Sequence, residues 1–162
     1  MSTVGYNLKV MIKLIEKWAS YHQQINRFSF GTIQEADLGK SDQYCWMHIS
    51  PSSVSYNDGA RTISLDIMIA DLVKDHDDKM NAELDVINDC ALIMEDLINS
   101  IENSQYSVGT VAELGDNLVL QKPVNVTPFY NDFTNNLAGV ECTLSFDADY
   151  TFDYCDSSHL LL

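Results

Sequence analysis

Positive charge is what this sequence has least of. Nine Lys and Arg face 24 Asp and Glu, which gives a formal net charge of −15 and a pI near 4.2. Duplex binding draws on Lys and Arg to release counterions from phosphates, and this chain has few to offer. Its field also repels anionic lipid headgroups. A grip on DNA and a seat on a membrane surface are therefore both disfavoured, whereas a surface past which DNA slides without sticking fits the same charge. Long apolar runs are missing too: no stretch of about 18 apolar residues occurs, so no membrane-spanning helix is expected. Lys9, Lys13, Glu16 and Lys17 interrupt the early apolar stretch, and no small-residue cleavage site follows an apolar block, so no secretion signal is expected. The four cysteines, Cys45, Cys90, Cys142 and Cys155, show no Cys-x-x-Cys spacing and are expected as free thiols in a reducing compartment. With three prolines and seven glycines, loops are few and elements long.

The 46% hydrophobic content supplies one core, and 162 residues point to one domain. We place that domain at residues 1–155, with a short tail at 156–162. Residues 7–26 carry Leu8, Met11, Ile12, Ile15, Ala19, His22 and Ile25 at three- and four-residue steps, which predicts a helix with Asn7 as its cap. A β region follows. Phe28 and Phe30 alternate with Arg27 and Ser29; residues 44–49 form a strand covered on both faces; residues 51–56 form a weaker one. Asn57-Asp58-Gly59 marks a hairpin turn. In the returning strand Ile63, Leu65, Ile67 and Ile69 face one way and Thr62, Ser64 and Asp66 the other.

Residues 78–103 predict a longer helix, started by Asp77 and Asp78. Its stripe is Met80, Leu84, Ile87, Ala91, Met94, Ile98 and Ile101, and we expect it to lie across the sheet rather than in a coiled coil. Short strands are expected at 117–121 and 124–130, around Pro123, and a polar turn at 131–138. The closing segment, 140–154, alternates throughout. Val140, Cys142, Leu144, Phe146, Ala148, Tyr150, Phe152 and Tyr154 share one face; Glu141, Thr143, Ser145, Asp147, Asp149, Thr151 and Asp153 share the other. Unbroken, it would span about 50 Å, more than a small domain needs. We expect a bend, or an end that leaves the domain, with Tyr150, Phe152 and Tyr154 pairing with a neighbouring subunit. The fold class is α+β: an N-terminal helix, an antiparallel or mixed sheet with hairpins, a long second helix on the sheet and a closing β-segment.

Chemistry-bearing motifs are sparse. Asp75-His76-Asp77-Asp78 lacks the further His or Cys that zinc would want and fits acids at a helix start. Asp147, Asp149 and Asp153 open like a calcium loop, but Phe152 and Ser158 stand where that loop needs its glycine and its twelfth-position acid. Cys45 and His48 point to opposite faces of a strand, which separates a thiolate from an imidazole. His22 lies on the apolar face of the first helix and is expected in the core or an interface. No phosphate-binding glycine loop, His-Glu-x-x-His or Gly-x-Ser-x-Gly occurs, and neither catalysis nor a cofactor or metal is expected. The acidic side of the closing strand stands out, since carboxylates along one strand repel unless solvated or matched. Glu141, Asp147, Asp149 and Asp153, with Asp66 and Asp58, are the candidate exposed surface.

The order of elements, the hairpin from Ser55 to Arg61 leading into Ile63–Ile69, and the entry Asn136-Leu137-Ala138-Gly139-Val140 into the last strand carry a resemblance. Over residues 7–154 the chain resembles the tail-terminator and tail-completion proteins of bacteriophages and the related neck ring proteins. The resemblance implies a homo-oligomeric ring of six or twelve subunits in the virion, made in the host cytoplasm, with tail-tube, adaptor or portal proteins as neighbours and DNA passing through. It brings no catalytic residues. Two other classes stand beside it: an acidic DNA-mimic or anti-restriction protein, which fits the charge, and a small ligand-binding domain or enzyme, which a deep pocket with a perturbed carboxylate or His48 at its base would favour.

Overall fold

Apolar residues at every second position of two long strands make the frame. The computed structural model describes residues 8–32, 43–74, 78–103, 118–130 and 136–149. Its strands are β1 (Arg27–Phe30), β2 (Trp46–Asn57), β3 (Ala60–Leu72), β4 (Leu118–Leu120), β5 (Val126–Tyr130) and β6 (Leu137–Asp149). Its helices are α1 (Leu8–Tyr21) and α2 (Lys79–Glu102). The fold is α+β, and the sheet is mixed: β1 runs parallel to β2, and every other pairing is antiparallel. The order is β1-β2-β3-β6, with β4 and β5 both on the far side of β6, β5 against its first half and β4 against its end.

Register places Met47, Ile69 and Val140 in one row, Ile49, Ile67 and Cys142 in the next, and Ile63, Phe146 and Leu120 further along. These side chains are buried beneath both helices. Helix α1 contributes Met11, Leu14, Ile15 and Ala19; α2 contributes Cys90, Ile93, Met94, Leu97 and Ile101. The Trp18 indole donates to Ser100 Oγ (3.2 Å), joining the two helices. His22, expected in the core or an interface, is three-quarters or more covered, faces Asp96 at 3.4 Å and stacks on Trp18 with ring centroids 4.9 Å apart.

Several expectations needed correction. The first helix stops at Tyr21, five residues short of the expected end, because Asn26 N and Arg27 N donate to Cys45 O and draw the chain into the sheet. Residues 44–49 and 51–56 are one strand from Trp46 to Asn57, with a register shift between Pro51 and Ser53 where two strands were expected. Helix α2 begins one residue after Asp78, whose carboxylate accepts from Asn81 N (3.3 Å). Its buried face, however, is rotated from the expected stripe. Met80 and Leu84 are 66% and 54% exposed, since the first turns border the groove beside Tyr44, Asp71 and Leu72 instead of the sheet. The closing strand starts at Leu137, inside the expected polar turn.

The second face of the sheet carries no helix among the described residues. At its β1 end it buries Trp46, Met68, Ala70, Phe129 and Leu137. His48 is 1% exposed there and fully bonded. Ser29 Oγ accepts from the Trp46 indole N–H (2.7 Å); because His48 Nε2 faces the Gly31 carbonyl, which can only accept, Nδ1 of the neutral ring takes the Ser29 hydroxyl proton (2.7 Å). His48 Nε2 then bears the hydrogen and donates to Gly31 O (3.0 Å), which also accepts from Ser50 Oγ (2.9 Å). This network ties short β1 to β2. As expected, Cys45 faces away from His48, into the core.

Burial, opposed by the Gly31 bond and assisted by Arg27, holds the His48 pKa below its ordinary 6.5. The unfolded chain therefore binds a proton over a window, from 6.5 down to the folded value, in which the native protein does not. Stability from this group is complete above 6.5 and falls as pH drops through that window, by at most about 1.4 kcal/mol per pH unit. Urea midpoints measured from pH 7.5 to 5.5 should show this decline, and His48→Gln should flatten it while lowering the pH 7.5 midpoint. An unchanged slope in His48→Gln would assign the decline elsewhere.

Candidate functional site

Beyond the His48 network, the helix-free face turns polar, because β3 and β6 place their hydrophilic residues there opposite one another. Thr62 faces Asp147, Ser64 faces Ser145, Asp66 faces Thr143 and Met68 faces Glu141. The side chains of the first three rows bond directly. Thr62 Oγ1 donates to Asp147 Oδ1 (2.6 Å), the Ser64 and Ser145 hydroxyls share a bond (2.8 Å), and Thr143 Oγ1 donates to Asp66 Oδ1 (2.6 Å). Gln121, just past β4, adds its amide to both oxygens of Asp147 at 2.9 and 3.0 Å. The Thr62 and Gln121 bonds hold the Asp147 carboxyl below its usual range, against a smaller opposing effect of burial.

At Asp147 the repulsion expected along β6 is thus relieved by a hydroxyl from β3 and an amide just past β4, and β6 in turn supplies the Thr143 hydroxyl to Asp66 of β3. Asp66 and Glu141, with Ser50, Thr127, Thr143, Pro123 and Asn125, border a shallow groove of about 560 Å³. Of the candidate acids, Asp66, Glu141 and Asp147 share this face. Asp58 stands apart, exposed in the turn between β2 and β3. Asp149 ends β6 opposite Ala60, and its side chain lies outside the described residues, as do Asp153 and the candidate inter-subunit residues Tyr150, Phe152 and Tyr154. Sequence reasoning missed Thr62, Thr143 and Gln121 as partners of the acids. The Ser/Thr content of the alternating strands was the available signal.

Nothing in this arrangement activates a nucleophile. The Cys142 thiol is pushed up to about 12, chiefly by burial and then by Asp66 and Glu141. The Cys90 thiol is also raised, first by its hydrogen bond with Cys45 and then by burial. Buried, protonated thiols of this kind are inert at neutral pH. Among the described residues, no group of three or more His, Cys, Asp or Glu is placed to hold a metal ion, and no helix is long and apolar enough to cross a membrane. No family model matches the chain, and no curated protein matches it.

Two further features shape the surface. The β2 strand of the β2–β3 hairpin lies at the sheet margin: residues 51–59 are exposed, and Gly59 turns the hairpin with φ of 82°. On the helix side, Leu8, Ile12, Phe28 and Phe30 border an apolar groove of about 300 Å³ flanked by Lys9, Lys13 and Glu16.

Proposed function

We propose that this chain is a structural subunit of a homo-oligomeric ring in the tail or neck of a tailed bacteriophage, a tail terminator or head–tail joining ring through which DNA passes. The observation that carries this reading is the two-sided sheet. One face is packed under both helices; the other, beyond the buried Trp46–His48 patch at its β1 end, presents a strip of carboxylates and hydroxyls. Along that strip no described side chain is cationic, Arg27 lying at the other end of the face over Trp46, so passing phosphates meet bound hydroxyls and like charge. The absence of an activated side chain on it supports a structural role over catalysis. On this reading the partners are further copies of the chain and the adjacent tail-tube, adaptor or portal proteins, and no cofactor is required.

The test is the mass of the purified protein in solution, followed by electron microscopy of any large species. A discrete assembly of six or twelve subunits with an open centre is the expected result. A protein that stays monomeric when concentrated, is absent from purified particles and displaces DNA from a DNA-binding enzyme would replace the ring with the DNA-mimic reading.

A further inference from the structure

The sheet has different edges at its two ends. At the His48 end, β1 covers β2 and β5 covers β6. At the hairpin end the sheet narrows to β2-β3-β6-β4. Strand β1 pairs only with Trp46–Ile49, so no described strand lies outside β2 beyond that point; β4 likewise ends the sheet on the other side. These two edges stand level. Val54, Ile63, Phe146 and Leu120 form one row across all four strands, and Ser55, Thr62, Asp147 and Val119 form the next. They also have opposite polarity. Three successive antiparallel pairings make β4 run against β2.

Solitary domains guard such edges with charge, proline or a bulge. Here Pro51 and the register shift sit at the base of this stretch, and Ser52–Asn57 contains neither proline nor charge. Leu118–Leu120 is equally uncharged, in a chain with 24 acidic residues. Val119 is 60% exposed at its edge. Copies carrying −15 repel over most of their surface, and two neutral edges are where they can approach closest.

We propose that the β2 edge at Ser52–Asn57 of one copy pairs, antiparallel, with the β4 edge at Leu118–Leu120 of the next, so that the sheet continues from subunit to subunit. This rests on the assembly reading above and gives it a specific joint. Two different edges meeting head to tail make a heterologous contact, the kind that closes into a ring. Because the edges are level, the Thr62–Asp147 and Asp66–Thr143 rows of successive copies would share one face, an acidic belt with both helices on its other side. The joint uses described residues and leaves Tyr150, Phe152 and Tyr154 no necessary part in it.

The test is oxidative cross-linking of the full-length protein. Ser53, Ser55 and Val119 all lie on the acidic face by register. Opposed residues of an antiparallel pair sit about 4.5–5.5 Å apart at Cα, within disulfide reach. Ser53→Cys or Ser55→Cys, mixed with Val119→Cys, is expected to give a disulfide-linked dimer in the mixture only. The double variant Ser55→Cys/Val119→Cys should give a ladder of multimers. Val119→Lys, exposed and directly opposite Asp147, places a charge on the edge while matching that carboxylate, and should reduce assembly at least tenfold without lowering the thermal melt. Cross-linking of Ser55→Cys with itself would overturn the head-to-tail joint in favour of a twofold one. Assembly that persists in Val119→Lys without any cross-link would sink the joint and leave the ring standing. If the unmodified protein forms no assembly at any concentration or in particles, the ring reading fails and the joint with it.

Discussion

Gly139→Ala is expected to cost at least about 3 kcal/mol, a fall in Tm of about 10 °C for a domain of this size. Gly139 lies in β6 between Ala70 of β3 and Phe129 of β5, both directly opposite it. A methyl group there would overlap the carbonyl oxygen of Ile69 and sit 2.9 Å from Ala70 Cα. Both obstacles are backbone, so no rotamer change can clear them. Strand β6 would have to part from β3 where Trp46, Ala70, Phe129 and Leu137 are buried. Gly59→Ala is the informative control. At φ of 82° it carries backbone strain, but no atom lies within 4 Å of the added carbon. Its cost should be about 1 kcal/mol. Thermal unfolding of the two variants beside the parent measures both. Equal losses would show that steric overlap at Gly139 is relieved by a shift of the strand.

The contrast between these glycines also marks what was legible in the sequence. Gly59 follows Asn57-Asp58, and the turn is a local signal. The crowding at Gly139 arises from β3, some 70 residues earlier, and no local pattern encodes it. The same division runs through the fold. Alternation in β3 and β6 and the Asp78 cap of α2 are short-range features, and both were readable. The orientation of α2 depends on where the sheet ends, so the exposure of Met80 and Leu84 could not be read from their spacing. Pro51 looks like a break between strands, yet as an exposed residue it is absorbed in a single bulged strand.

The candidate site divides likewise. The acids of β6 are visible as an alternating set, and their sharing of a face follows from strand geometry. That Asp147 of β6 and Asp66 of β3 are each held by a threonine of the other strand depends on register between β3 and β6, the pairs lying 85 and 77 residues apart in sequence. Gln121 reaches Asp147 only because β4 is laid against the end of β6. The Ser29–His48–Gly31 network is likewise invisible until β1 is seen to pair with β2 in parallel. Charge therefore pointed to the face, whereas the chemistry that makes the face stable is tertiary.

Phe146→Ala is expected to cost about 3–5 kcal/mol, comparable to or larger than the loss at Gly139. Phe146 is fully buried, faces Ile63 on β3 and Leu120 on β4, and ranks among the largest side chains of the core. Truncation leaves a cavity beneath α2 that its neighbours, themselves fixed in strands, can fill only in part. Because β4 is three residues long, its hold on the sheet depends heavily on that row. Hydrogen exchange should accelerate at Leu118–Leu120 more than at β2 positions in the same variant, and Phe146→Leu, which keeps most of the volume, should lose only about 1 kcal/mol. If β4 forms one side of the subunit joint, Phe146→Ala must also impair assembly, through a melted edge. Val119→Lys, which faces Asp147, is expected to impair assembly with the edge intact and the melt not lowered. The pair separates two causes that a loss of rings alone would confuse: stability of the strand that makes the contact, and chemistry of the contact itself.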